Sequence, residues 1–163
     1  MKKIAVLLVL VVLLCGCSAA ETFETVDDAL EQPVMGQVRK VSLTLPQSAA
    51  SPVVNTDDGA RLYLCDGYDL AVQTLAGGDI NKTVMALCGY SADHVRVVES
   101  SKDGNKRYEW VWSAVGEEGD QIGRAMVLAQ GDYHYCVSVM ASAELAGSLE
   151  QEWTQIFASL RVS

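Results

Sequence analysis

Four strand-like runs lie between His94 and Met140, and the short turns between them leave the chain few ways to fold. His94 to Glu99 is rich in Val, and Lys106 to Val115 is rich in aromatic residues. Gln121 to Gln130 and Asp132 to Met140 complete the set, with turns at Ser100–Gly104, Gly116–Asp120 and Gly131-Asp132. Parallel strands need a crossover of about a dozen residues or more, so links this short predict an antiparallel meander.

A hairpin precedes it. Arg61-Leu62-Tyr63-Leu64-Cys65 runs into Asp66-Gly67, and Tyr68 to Leu75 returns with alternating Tyr68, Leu70, Val72 and Thr74. Asp-Gly between apolar runs signals a tight turn, because type I′ needs φ > 0 at both central residues. Asp79 then reads as an N-cap, its carboxylate placed to accept from the first free amides. Ile80, Val84 and Leu87, with Met85 and Cys88 alongside, form an apolar stripe that Gly89 stops, which predicts a helix at about 80–88. A second helix is predicted at about 143–159. Ser142 caps it, and Leu145, Leu149, Trp153, Ile156, Phe157 and Leu160 share one face, with Glu144, Glu150, Gln151 and Gln155 opposite. Val38 to Pro46 alternates as an opening strand, with Arg39, Val41, Leu43 and Leu45 on one side. Six or seven strands and two helices in this order predict an α+β domain over 37–163, mainly antiparallel sheet.

The amino terminus sets the address. Lys2 and Lys3 precede a continuous apolar run from Ile4 to Leu14. That run is short of the roughly 20 residues a spanning helix needs, and it has the shape of a cleaved secretory signal. Leu14-Cys15-Gly16-Cys17 closes it and resembles the lipobox of bacterial lipoproteins. The resemblance implies a signal peptide over 1–16, cleavage before Cys17, and thioether diacylglycerol on that sulfur, with no other cofactor. It also implies a protein anchored by lipid to the cell membrane on the extracytoplasmic face, since two or three acyl chains anchor stably where one does not. The competing reading is a non-lipidated protein cut near Ser18-Ala19-Ala20. Residues 17–36, with Glu21, Glu24, Asp27, Asp28 and Glu31, read as a solvated acidic tether. Without Lys2 and Lys3 the chain has ten basic residues against 21 acidic ones, a charge of −11. Phosphate backbones repel such a chain, so nucleic acid is excluded as a partner.

Chemistry is thinly supplied. Cys65, Cys88 and Cys136 remain after processing, outside the cytosol, where disulfides persist. Three thiols allow one bridge in three ways. Cys65–Cys88 is preferred, because Cys65 ends a strand and Cys88 lies on the next helix; closing that loop is worth about 3 kcal/mol on a chain-entropy model. Three reduced thiols are the alternative. His94 and His134 have no second ligand at metal spacing, so no metal site is expected. A Cys136/His94 nucleophile pair has no local motif behind it, and Gly-x-Ser-x-Gly, His-Glu-x-x-His and P-loop patterns are missing. The chain is read as a non-enzyme.

Aromatic residues offer the candidate binding face. Tyr108, Trp110 and Trp112 share one side of a strand, and Tyr133 and Tyr135 one side of the last strand. Exposed, they make a platform for peptides, sugar rings or a partner protein, which Glu109, Glu117, Glu118 and Asp120 would make acidic. Buried, they are the core beneath the Trp153 helix.

The carboxyl-terminal stretch carries a further resemblance. Tyr133-His134-Tyr135-Cys136-Val137-Ser138-Val139-Met140, a short acidic link, Glu150 to Ala158 and Ser159-Leu160-Arg161-Val162 resemble the terminal strand, helix and finish of PsbP-like domains. The likeness implies a PsbP-like sandwich used as a binding or accessory module, and it brings no catalytic residues with it. The function expected is a membrane-anchored envelope lipoprotein that binds a protein or small-ligand partner. The alternatives are a small envelope enzyme with a carboxylate or Cys/His site, and a purely structural assembly subunit.

Overall fold

The run Tyr133–Ser142 carries apolar residues on both of its sides, and a sheet built around it needs a cover on each face. The computed structural model describes residues 36–56, 60–117 and 119–163. Residues 1–35, where the signal peptide, Cys17 and most of the acidic tether were expected, and residues 57–59 and 118 lie outside them.

Two short strands come first, β1 (Val41–Ser42) and β2 (Val54–Asn55), followed by the hairpin of β3 (Arg61–Cys65) and β4 (Tyr68–Ala76). Helix α1 (Ile80–Cys88) leads to the meander of β5 (Val98–Lys102), β6 (Asn105–Gly116), β7 (Gly119–Gln130) and β8 (Tyr133–Ser142). Helix α2 (Ala143–Ser159) and β9 (Arg161–Val162) end the chain. The fold is α+β with both helices at the predicted residues. Asp79 caps α1, its Oδ1 accepting from the Asn81 amide at 3.0 Å, and Gly89 ends it at φ 75°. Left-handed backbone of this kind favours glycine.

Seven strands make one antiparallel sheet in the order β2-β3-β4-β8-β7-β6-β5, and β1 pairs separately with β9. The last meander strand, β8, returns to lie against β4, from Tyr68 opposite Ala141 to Ala76 opposite Tyr133. That junction joins the two units into a single sheet.

Register sorts side chains between the faces. Tyr108, Val127 and Cys136 stand opposite one another across β6, β7 and β8, so they share a face with Trp110, Trp112 and Ala125. Helix α1 covers this face through Val84 and Thr83. The other face carries Leu70, Met126, Val137 and Val139 beneath Trp153, Ile156, Phe157 and Leu160 of α2. Trp153 meets Tyr68 edge-on at 6.0 Å between ring centroids, a geometry that suits the positive edge and negative face of aromatic rings.

Two strand expectations are corrected. The run Val38 to Pro46 is a strand only at Val41–Ser42, opposite Val162 and Arg161 of the two-residue β9, with Lys40 and Ser163 exchanging backbone hydrogen bonds at 3.0 Å beside them. Val41 and Leu43 still pack on the α2 core, while Leu45 stays exposed. The strand expected at His94 begins instead at Val98, and His94 closes a short 3₁₀ turn at Ala92–His94, 2.6 Å from the Ser91 hydroxyl. Asp103 and Gly104 both take positive φ, 53° and 78°, and this pair fixes Lys102 opposite Asn105. At Asp66-Gly67, where such a turn was predicted, only Gly67 is positive, at 80°.

Candidate functional site

The aromatic platform is not on the surface. Tyr108, Trp110 and Trp112 are buried, Trp110 to 2% and Trp112 to 5% exposure, under α1 rather than under the Trp153 helix. The Trp112 ring lies over Gly123, where a Cβ would come within 2.2 Å of it. Tyr135 belongs to the opposite face, since it stands opposite Leu128 while Cys136 stands opposite Val127. It is fully buried, and its hydroxyl accepts from the Arg39 amide at 2.9 Å. Tyr133 is half-buried beside it, ring centroids 6.3 Å apart. Successive strands cannot place these five rings on one face, because pairing in this register separates them.

The candidate disulfide also fails on topology. Cys65 packs with the α2 core and Cys88 with the α1 core, on opposite faces of the sheet. All three described cysteines are free thiols. The Cys136 thiol is pushed up to about 12 by burial, and it donates to the His134 carbonyl. A thiol so far from ionisation is a poor nucleophile. Burial raises the Cys65 thiol as well, beside the Tyr68 hydroxyl, which donates to Glu152 at 2.7 Å. His134 is interior, with Nδ1 2.7 Å from the Thr83 hydroxyl.

The open surface lies elsewhere. Helix α2 packs mainly on β8 and β7 and leaves β6 and β5 uncovered on its own face of the sheet. Val98, Val111 and Val115 consequently stand 52%, 55% and 88% exposed on that face. Between helix and strands runs a groove of about 690 Å³. Ala146, Gly147, Glu150 and Thr154 form its helix wall, Arg96, Val98 and Val111 its outer wall, and Ile122, Glu109 and Arg124 its floor.

Its floor is electrostatically tied. One Glu109 oxygen meets Arg107 at 2.5 Å and the other meets Arg124 at 3.0 Å. Arg124 also donates to the Thr154 hydroxyl at 3.0 Å, and its guanidinium sits 5.1 Å over the Phe157 ring. Partly buried pairs of this kind gain little net energy after desolvation, but they hold their members in one geometry. The predicted acidic patch is thereby reversed at Glu109, whose charge two arginines match. Arg96 and Glu150, on opposite walls, have no ion pair among the described residues. Both Glu109 oxygens are thus engaged by arginines.

The aromatic pattern of β6 leaves Arg107, Val111 and Arg124 unassigned in the sequence reading, and Glu109 only as part of an acidic patch. The signal was present in the alternation: the side opposite Tyr108, Trp110 and Trp112 carries Arg107, Glu109, Val111 and Val115, a mixed polar and β-branched row.

No protein-family model matches this chain, and no curated protein matches it in sequence. Solved structures match in fold. PsbP of the cyanobacterium Synechocystis (CyanoP) superposes over 80% of this chain and 96% of its own, at 9% identity and a TM-score of 0.52. The fold is PsbP-like. LpqN of Mycobacterium tuberculosis, a protein involved in cell envelope biogenesis, matches over 77% of this chain and 84% of its own, at 10% identity and TM-score 0.52. A Bacteroides thetaiotaomicron protein matches 76% of this chain at 9% identity and TM-score 0.53, over 45% of its own length. At such identities the likeness is one of fold alone.

Proposed function

We propose that this protein is a non-catalytic binding module of the bacterial cell envelope, held to the membrane by diacylglycerol on Cys17. It docks a partner protein on the uncovered half of the α2 face. The observation that carries this reading is the exposed valine row beside a groove whose charged floor is already held in place. Clustered apolar side chains rimmed by charge mark interaction sites, whereas single exposed ones do not. The lipobox Leu14-Cys15-Gly16-Cys17 supports the anchor, and no helix among the described residues is long and apolar enough to cross a membrane. LpqN, a neighbour in fold, is involved in cell envelope biogenesis, which fits an accessory role.

The test is co-purification from native membranes. Val98→Asp and Val111→Asp alter exposed positions, where substitutions change stability by no more than about 0.5 kcal/mol. Both variants should melt as wild type does and lose the captured partner. Undiminished capture by both would remove the groove from the binding surface.

A further inference from the structure

The two walls of the groove carry single unpartnered charges of opposite sign, Arg96 on the outer wall and Glu150 on the helix. Such a surface is complementary to its own image. Rotated by a two-fold axis running along the groove, it brings each arginine onto a glutamate, and the outer-wall valines onto the small helix wall at Ala146 and Gly147. Isologous contacts are built in this way, the same patch serving both partners.

We propose that a second copy of this chain docks in the groove about a two-fold axis, pairing Arg96 of each copy with Glu150 of the other. The proposal rests on the reading that this face docks a protein, and it names which one. Two features of the groove favour a copy, against a mature charge of −11 that makes two copies repel in most orientations and that the two Arg96–Glu150 pairings offset at this face. First, the helix wall is small at the point of closest approach, with Ala146 and Gly147, and a Cβ built on Gly147 would meet nothing within 4 Å. A facing backbone can therefore come close. Second, Val98 and Val111 are both β-branched and about half exposed, so the apolar strip they form on the outer wall fits against that small helix wall of the other copy.

The experiment uses two differently tagged copies of the full chain co-expressed in native membranes, with capture through one tag and detection of the other. Wild type should co-capture. Arg96→Glu and Glu150→Arg should each lose capture of themselves at least tenfold, because each homotypic pairing sets like charges together. Co-expressed with one another, the two variants should recover it, since Glu at 96 of one copy then meets Arg at 150 of the other. Gly147→Gln fills the helix wall in a chain that still folds, and it should also block capture. Self-capture by Arg96→Glu at the wild-type level would overturn the proposal, as would failure of the mixed pair to recover. If wild type captures no second copy but does capture another envelope protein that Val111→Asp loses, self-association falls and the docking reading stands. If wild type captures neither, both fall.

Discussion

Trp112 and Gly123 show what a single pair of residues decides. The ring occupies the space a side chain at 123 would need, so an alanine there must displace an indole held on both sides by sheet and helix. Gly123→Ala should destabilise by about 1–3 kcal/mol, the usual range for overpacking a filled core. Trp110→Ala and Trp112→Ala should each lose about 3–5 kcal/mol. Urea denaturation measures all three; a Trp110→Ala midpoint equal to wild type would return that side chain to the surface. His134 supplies a pH dependence. Burial lowers its pKa from the ordinary 6.5, so the unfolded chain takes up a proton that the native chain resists. The native state keeps its full stability above that value and loses it as pH falls from about 6.5 towards the folded pKa. His134→Gln should therefore show a flatter fall in urea midpoint between pH 7 and pH 5. Equal slopes in the two proteins would assign the acid sensitivity to carboxylates instead.

Secondary-structure elements set the shape of the open surface. Helix α2 is long enough to cover β4, β8 and β7 and no more, and its groove side is small where it faces β6. Gly147 has ordinary helical backbone and empty space where a methyl would lie. Replacing it with alanine should stabilise the isolated protein by about 0.5–1 kcal/mol, because glycine loses more backbone entropy on entering a helix. Asp79→Ala should do the reverse at α1, costing about 1 kcal/mol through the lost cap. Thermal melts of the two variants should move in opposite directions, and a shared direction would mean that tertiary packing outweighs both local terms. The cysteines also belong at this scale, since the sheet separates Cys65 from Cys88. Alkylation should label Cys65 and Cys88 in the native protein, and Cys136 only after unfolding.

For the whole molecule, the sheet is a partition with two cores. One is sealed by α1 over the tryptophans, and the other is half-sealed by α2, with Val98, Val111 and Val115 left exposed beside it. The seven-stranded order puts β8, late in sequence, beside β4 and leaves β5 at the outer edge. The proposed anchor at Cys17 lies outside the described residues. Cys17→Ala should move the protein from the membrane fraction to the soluble fraction on cell fractionation, without changing its melting temperature. Retention in membranes after that change would locate the attachment elsewhere.

Local physics wrote much of this into the chain. Short turns impose antiparallel pairing, an N-cap and a left-handed glycine bound α1, and the apolar stripe of Trp153, Ile156 and Phe157 marks the buried side of α2. These depend on neighbours a few residues away, so they are legible in sequence. Which face of the sheet each helix covers is not. Alternation tells that Tyr108, Trp110 and Trp112 lie together, and it is silent on whether helix or solvent lies above them. That was settled by strand register across β6, β7 and β8, which is a sum of long-range pairings. The same register placed Cys65 and Cys88 on opposite faces and divided the tyrosines of β8 from the tryptophans of β6. It also gathered Arg96, Glu109, Arg124 and Glu150, spread over more than fifty positions, around one groove. Side chains so far apart in the chain meet only once the sheet has closed, and for that reason the groove belongs to the tertiary structure alone.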